Sequence, residues 1–168
     1  ARPIPLNLGF LTAVPNEANF FQIHVPFFVS EIQVMKTAWY VEDDGEMIQA
    51  IRLLLRLLDY ETRPFLDCKR AAEAILSGEK PDILIIDINM PIVSGMDLLK
   101  YVRSRTDFDA LPIVMLSSEV TDSVVDEAMG LGADTYLFKP VTIDDLEDKI
   151  EKAVQKRGQY LERRSKNG

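Results

Sequence analysis

This chain has one cysteine and one histidine in 168 residues, and each scarcity excludes a class of chemistry. With Cys68 alone there is no internal disulfide, and a reducing cytosol fits. Cys68 falls in a helical pattern, which predicts a buried or half-buried, inert thiol rather than a nucleophile. His24 alone rules out His-pair metal sites and argues against a histidine-based triad. No apolar run approaches the roughly 18–20 residues needed to span a bilayer. The first residues also lack the basic stretch and unbroken apolar core of a signal peptide. Positive charge is short as well: 19 Lys and Arg against 27 Asp and Glu leave a net charge of −8. That balance argues against direct nucleic-acid binding. The expectation is a cytoplasmic chain without membrane attachment, with no internal repeat or low-complexity tract.

Its hydrophobic content of 47% and charged content of 27% are ordinary for a globular domain, and the length suits one domain with additions. The charge is unevenly spread. Residues 152–168 carry six cations and one anion, a tail of +5 on a remainder of −13. Cations at the end of a helix suit its dipole; a linker toward an effector domain beyond Gly168 is the sharper reading.

From residue 37 onward, strand-like and helix-like patterns alternate five times. Helical spacing covers Met47–Leu58, Cys68–Leu76, Gly95–Val102 after a capping Ser94, and a face of Val124, Val125, Ala128 and Met129. A last helix starts at Thr142 and carries Lys152, Lys156 and Arg157 at its end. The strands are continuous apolar runs, as expected where helices cover both faces of a parallel sheet. Tyr60–Phe65 is polar and contains Pro64, so it belongs at an edge. Five βα units with an edge second strand predict a doubly wound, flavodoxin-like parallel sheet of order 2-1-3-4-5.

Residues 1–36 differ. They hold five of the eight Phe and only four charges, with Phe21, Ile23, Val25, Phe27 and Val29 alternating around Gln22 and His24. The expected organisation is an N-terminal extension at 1–36, a domain at 37–157 and a basic tail at 158–168. The extension is an arm that mediates a homodimer, a swapped segment, or a non-native leader before Met35.

Four of the five strand-like runs end in groups suited to phosphate chemistry. Thr37–Val41 leads into Glu42, Asp43 and Asp44, and Ile83–Ile86 into Asp87. Ile113–Leu116 leads into Ser117 and Ser118, and Tyr136–Phe138 into Lys139 and Pro140. Sites in open parallel sheets form at the carboxyl ends of strands, so these groups converge. Singly, an acidic triplet is a solvated helix start, and a lone lysine or serine is surface. Together they are not so easily dismissed. Asp87 closes an apolar strand beside Glu42 and Asp43, and carboxylates that close must share a proton or a cation. An all-oxygen set suits a hard ion, Mg²⁺ first and Mn²⁺ second. Lys139 can pair with Asp87 and then with a phosphoryl oxygen, which the Ser117 hydroxyl can also reach. Phosphoryl transfer needs positioning and charge neutralisation above all. The edge therefore reads as a place where an aspartate receives a phosphoryl group beside a divalent cation.

Residues 37–157 resemble a response-regulator receiver domain of two-component signalling, of the chemotaxis single-domain type. The motifs are Val41-Glu42-Asp43-Asp44, Asp87-Ile88-Asn89-Met90-Pro91 with Gly95, Leu116-Ser117-Ser118-Glu119 and Tyr136-Leu137-Phe138-Lys139-Pro140. The resemblance implies that Asp87 is the phosphoacceptor and that Asp43, Asp87 and the Asn89 carbonyl bind Mg²⁺, with Glu42 acting through water. It implies that Ser117 and Tyr136 are switch residues and that the Lys139–Pro140 peptide is cis. A sensor histidine kinase or phosphotransfer protein would be the donor. The surface of the fourth helix, fifth strand and fifth helix would then address a downstream protein target or effector domain. Glu42 replaces a commoner Asp and Ser117 a commoner Thr; neither change removes a needed group. Catalysis would be limited to the domain's own phosphorylation and dephosphorylation.

Three alternatives compete. A phosphorylation-independent docking module usually lacks an acid or the lysine, and none is missing. An aspartate-nucleophile phosphatase wants a second Asp two residues after the nucleophile, where Asn89 stands. Flavin or dinucleotide binding would need a Gly-rich loop in place of Glu42-Asp43-Asp44-Gly45.

Overall fold

The computed structural model describes residues 35–119 and 121–166, so the expected N-terminal arm lies outside the described residues apart from its last two positions. The elements run Lys36–Val41 (β1), Gly45–Leu57 (α1), Tyr60–Phe65 (β2), Cys68–Leu76 (α2), Ile83–Asp87 (β3) and Gly95–Arg103 (α3). A 3-10 turn at Thr106–Phe108, Ile113–Ser117 (β4), Asp122–Gly130 (α4), Thr135–Phe138 (β5) and Ile143–Lys166 (α5) follow. The sheet is wholly parallel in the order β2-β1-β3-β4-β5. This is the expected doubly wound architecture.

Because successive strand side chains point to opposite faces, each buried strand feeds two cores. Trp39 and Val41 of β1, Leu84 and Ile86 of β3, and Ile113 and Met115 of β4 meet the apolar faces of α2, α3 and α4. Ala38, Tyr40, Ile83, Ile85, Val114 and Leu116 meet α1 and α5. Burying a large apolar side chain contributes about 1.5–3 kcal/mol, so the continuous apolar runs are what hold β3 and β4 at the centre. β2 takes the edge, where Glu61, Arg63 and Pro64 are exposed. Arg63 lies across the Trp39 and Phe65 rings and pairs with Glu79.

Polar caps fix where the helices begin. Asp44 accepts from the Glu46 and Met47 amides at 2.8 and 3.1 Å. Ser94 accepts from Asp97 N at 3.2 Å and donates to Asp97 Oδ2 at 2.9 Å. Thr142 accepts from Asp145 N at 3.2 Å.

α5 runs without a break through Lys166, across the expected start of the basic tail at residue 158. Arg157 is not an exposed helix-end cation but is buried at 7% exposure. It is held by Asp134 and the Gly132 carbonyl, while Arg164 pairs with Asp109. These contacts dock the tail on the domain as ordinary helix. Among the described residues no helix is long and apolar enough to cross a membrane.

Candidate functional site

The β1–β2 ladder continues one step past β1, where Glu42 N donates to Phe65 O at 3.0 Å. Glu42 therefore keeps strand geometry and shares a face with Tyr40, two residues before it. It is 1% exposed. Asp43 next to it is exposed, and Asp44 caps α1. The acidic triplet thus splits into a buried carboxylate, an open one and a helix cap.

Asp87 is the last residue of β3 and is 3% exposed. Its neighbour is tied to β4 by Ile88 N to Leu116 O at 2.9 Å. The following loop folds back through Met90 N and Gly95 N onto Ile88 O at 3.0 and 3.1 Å. At its tip Ile92 is fully exposed with φ of 69°, a conformation that strains a β-branched residue.

One carboxylate oxygen from each of Glu42, Asp43 and Asp87 lies within 4.8 Å of the others. The expected acidic cluster is therefore assembled. Burial raises the Asp87 pKa; Lys139 works against this, and the charges of Glu42 and Asp43 add to it. Asp87 Oδ1 is buried and accepts no hydrogen bond among the described residues.

Lys139 follows β5, and its amide donates to Ser117 O at 2.9 Å, ahead of a cis Lys139–Pro140 peptide. Its ammonium, on a side chain 13% exposed, donates to Glu42 Oε2 at 2.6 Å and stands 3.0 Å from Asp87 Oδ1. The Asp87 contact is an ion pair without hydrogen-bond alignment. Burial pulls the lysine pKa down, but its close contacts with the Glu42 and Asp87 carboxylates and their charges outweigh it and the net shift is upward.

Ser117 ends β4 and is fully buried. Its Oγ accepts from Glu119 N at 2.9 Å and lies 3.5 Å from Asn89 Nδ2. Tyr136 points inward and donates to the Glu119 carbonyl at 3.3 Å. One peptide residue, Glu119, thus touches both expected switch side chains.

All seven expected residues converge on this edge. Tyr40 was not expected there. Its phenol, deep in the core, donates to Glu42 Oε2 at 2.7 Å. Burial and then the Glu42 carboxylate push its pKa well above the usual phenol range, so it remains a donor. The signal was the two-residue strand period, which puts residues 40 and 42 on one face.

Cys68 is buried as expected, its thiol pushed up to about 12 by burial and by the carboxylates of Asp67, Asp97 and Asp87.

The family model described as "Response regulator receiver domain" matches residues 39–151. Chemotaxis protein CheY1 of Helicobacter pylori is 35% identical over 117 residues, covering 66% of this chain and 90% of that protein. Chemotaxis protein CheY of Pseudomonas aeruginosa is 34% identical over 116 residues, covering 69% of this chain and 94% of its own. The solved structure of Vibrio cholerae chemotaxis protein CheY4 aligns with a TM-score of 0.65 at 28% identity, over 71% of this chain and 98% of that one.

Proposed function

The chain belongs to the response regulator receiver domain family, and from that premise we propose that Asp87 accepts a phosphoryl group in a Mg²⁺-dependent step. The donor would be the phosphohistidine of a sensor histidine kinase or phosphotransfer protein. The observation that carries this reading is the meeting of the Glu42, Asp43 and Asp87 carboxylates within 4.8 Å, with the Lys139 ammonium 3.0 Å from Asp87 Oδ1.

The donor set fits a hard divalent cation: oxygen ligands only, and three carboxylates that repel without one. Asp43, Asp87 and the Asn89 carbonyl would hold Mg²⁺, with Glu42 acting through water. Bound there, the ion would supply charge neutralisation for the carboxylates and the incoming phosphoryl oxygens.

In the transfer, an Asp87 carboxylate oxygen forms a bond to phosphorus, and the P–N bond to the donor imidazole breaks with its electron pair returning to nitrogen. Lys139 moves onto a phosphoryl oxygen as charge builds there. The Ser117 hydroxyl turns from the Glu119 amide to donate to another phosphoryl oxygen. Breaking that bond loosens Glu119, whose carbonyl holds Tyr136, and the displacement reaches the surface of α4, β5 and α5. A downstream protein target or an effector domain would read that surface. The only reactions catalysed are the domain's own phosphorylation and dephosphorylation, which makes it a switch and not an enzyme acting on other substrates.

Incubation with acetyl phosphate, with and without Mg²⁺, followed by intact-mass measurement tests this. One base-labile phosphoryl adduct is expected, dependent on Mg²⁺, absent in Asp87→Asn and decaying within minutes. An adduct that persists in Asp87→Asn would sink the assignment.

A further inference from the structure

Tyr136 and Phe138 stand two residues apart on β5, so their side chains share one face of the sheet. Their rings meet at a centroid distance of 5.0 Å, with planes inclined by 54°. Tyr136 is buried, whereas Phe138 is 39% exposed. The other supports of the inward Tyr136 are thin. Its hydroxyl reaches the Glu119 carbonyl at 3.3 Å, longer than the roughly 2.7–2.8 Å of a good hydroxyl bond. The neighbouring α4 buries only Ala128, and β5 is the last strand of the sheet. We propose that Phe138 is a positioning residue whose ring holds Tyr136 inward in the unphosphorylated protein. This rests on the reading of Tyr136 as a switch residue.

The backbone makes Phe138 the fixed member of the pair. It lies opposite Ser117 in the β4–β5 ladder, and the residue after it is pinned by Lys139 N to Ser117 O at 2.9 Å. Tyr136 is the member that turns. A change of χ1 well swings its whole ring about Cβ, and the contact with Phe138 goes with it. The turn also bares the side of Phe138 that Tyr136 had covered, so apolar area is returned to water. Tilted aromatic pairs are favourable beyond the area they bury. The contact therefore weights the resting equilibrium toward the inward rotamer, and phosphorylation must overcome that weight. Ser117, where the displacement begins, stands directly across the ladder from this ring.

The test is the χ1 population of Tyr136 in the intact chain, read by nuclear magnetic resonance from the three-bond couplings of its Cγ to the backbone nitrogen and carbonyl carbon. Those couplings respond to the torsion and not to the loss of a neighbouring ring current. Phe138→Ala should raise the outward-to-inward ratio about two- to tenfold, the equivalent of one aromatic pair. The rise should appear both at rest and under excess acetyl phosphate with Mg²⁺. Phe138→Tyr keeps the ring and should keep the wild-type populations. Should Phe138→Ala fail to fold, Phe138→Leu preserves bulk without the ring and should move the ratio the same way. An unchanged ratio in the folded variant, or an equal shift in Phe138→Tyr, overturns the role of Phe138 and leaves the switch reading standing. Wild-type Tyr136 populations that acetyl phosphate and Mg²⁺ fail to move overturn both.

Discussion

Gly95 packs against the main-chain carbonyl of Asp87: a Cβ on Gly95 would overlap its oxygen and come within 2.9 Å of its carbon. The same clash would reach Ile86 Cγ2 at 2.9 Å. The atoms in the way are largely backbone, so relief requires moving the end of β3. Gly95→Ala is expected to cost about 1–3 kcal/mol of stability, the range for overpacking a close-packed site. Urea unfolding gives that number. Because the displaced residue is the acceptor itself, the rate of adduct formation in the folded fraction should also fall. A variant with wild-type stability and rate would show that the loop yields freely.

Asp87 is destabilising as an anion. Its folded pKa is raised by burial, and by Glu42 and Asp43 against the opposing pull of Lys139. A carboxyl raised in the folded state contributes stability below its unfolded value of about 3.9, and that contribution is lost as pH climbs through the folded pKa. Without metal, Asp87→Asn should therefore be more stable than wild type at neutral pH. The difference should close as pH falls toward the unfolded carboxyl value. Urea midpoints of the two proteins across that range decide it. A less stable Asp87→Asn at pH 7 would mean that the ion pair with Lys139 outweighs burial.

Metal binding should show as stability by mass action. With the folded state alone binding Mg²⁺, a concentration ten times Kd adds about 1.4 kcal/mol. Asp43 is exposed, so Asp43→Asn should change metal-free stability by no more than about 0.5 kcal/mol. It should, however, abolish most of the Mg²⁺-induced gain. Thermal or urea unfolding at several Mg²⁺ concentrations separates the two effects. An equal gain in both proteins would remove Asp43 from the ligand set.

The parts of this site legible in the sequence are those decided by chain direction. An apolar run that ends in Asp87 or Ser117 can place its polar residue only at the sheet's carboxyl edge, and Pro64 can sit only at the sheet's rim. Side-chain reach across the sheet was not legible. Lys139 was expected on Asp87, and the longer Glu42 side chain takes the better-aligned bond. Tyr40 read as core because its ring is core, and only its last atom is not. Arg157 read as a helix-end cation because its partner Asp134 belongs to another element and no local pattern links them.

Asp134 is 3% exposed and pairs with two guanidinium groups at the end of the sheet remote from Asp87. Its Oδ2 accepts from Arg103 Nη2 and from Ile113 N, each at 2.8 Å, and its Oδ1 pairs with Arg157 Nη2 at 2.6 Å. Both arginines also donate to the Gly132 carbonyl, at 2.8 and 3.0 Å. One carboxylate thus joins α3, the start of β4, the approach to β5 and α5. Burial pulls the Arg103 pKa down to about 10, which still leaves it charged at neutral pH. Asp134→Asn preserves shape but leaves two buried cations facing a neutral amide. Removing one member of a buried pair costs about 3–5 kcal/mol, and that loss is expected in urea unfolding at pH 7. The phosphoryl adduct formed per folded molecule should be unchanged, since nothing at Asp87 is touched. A loss of less than about 1 kcal/mol would rank the network with exposed ion pairs.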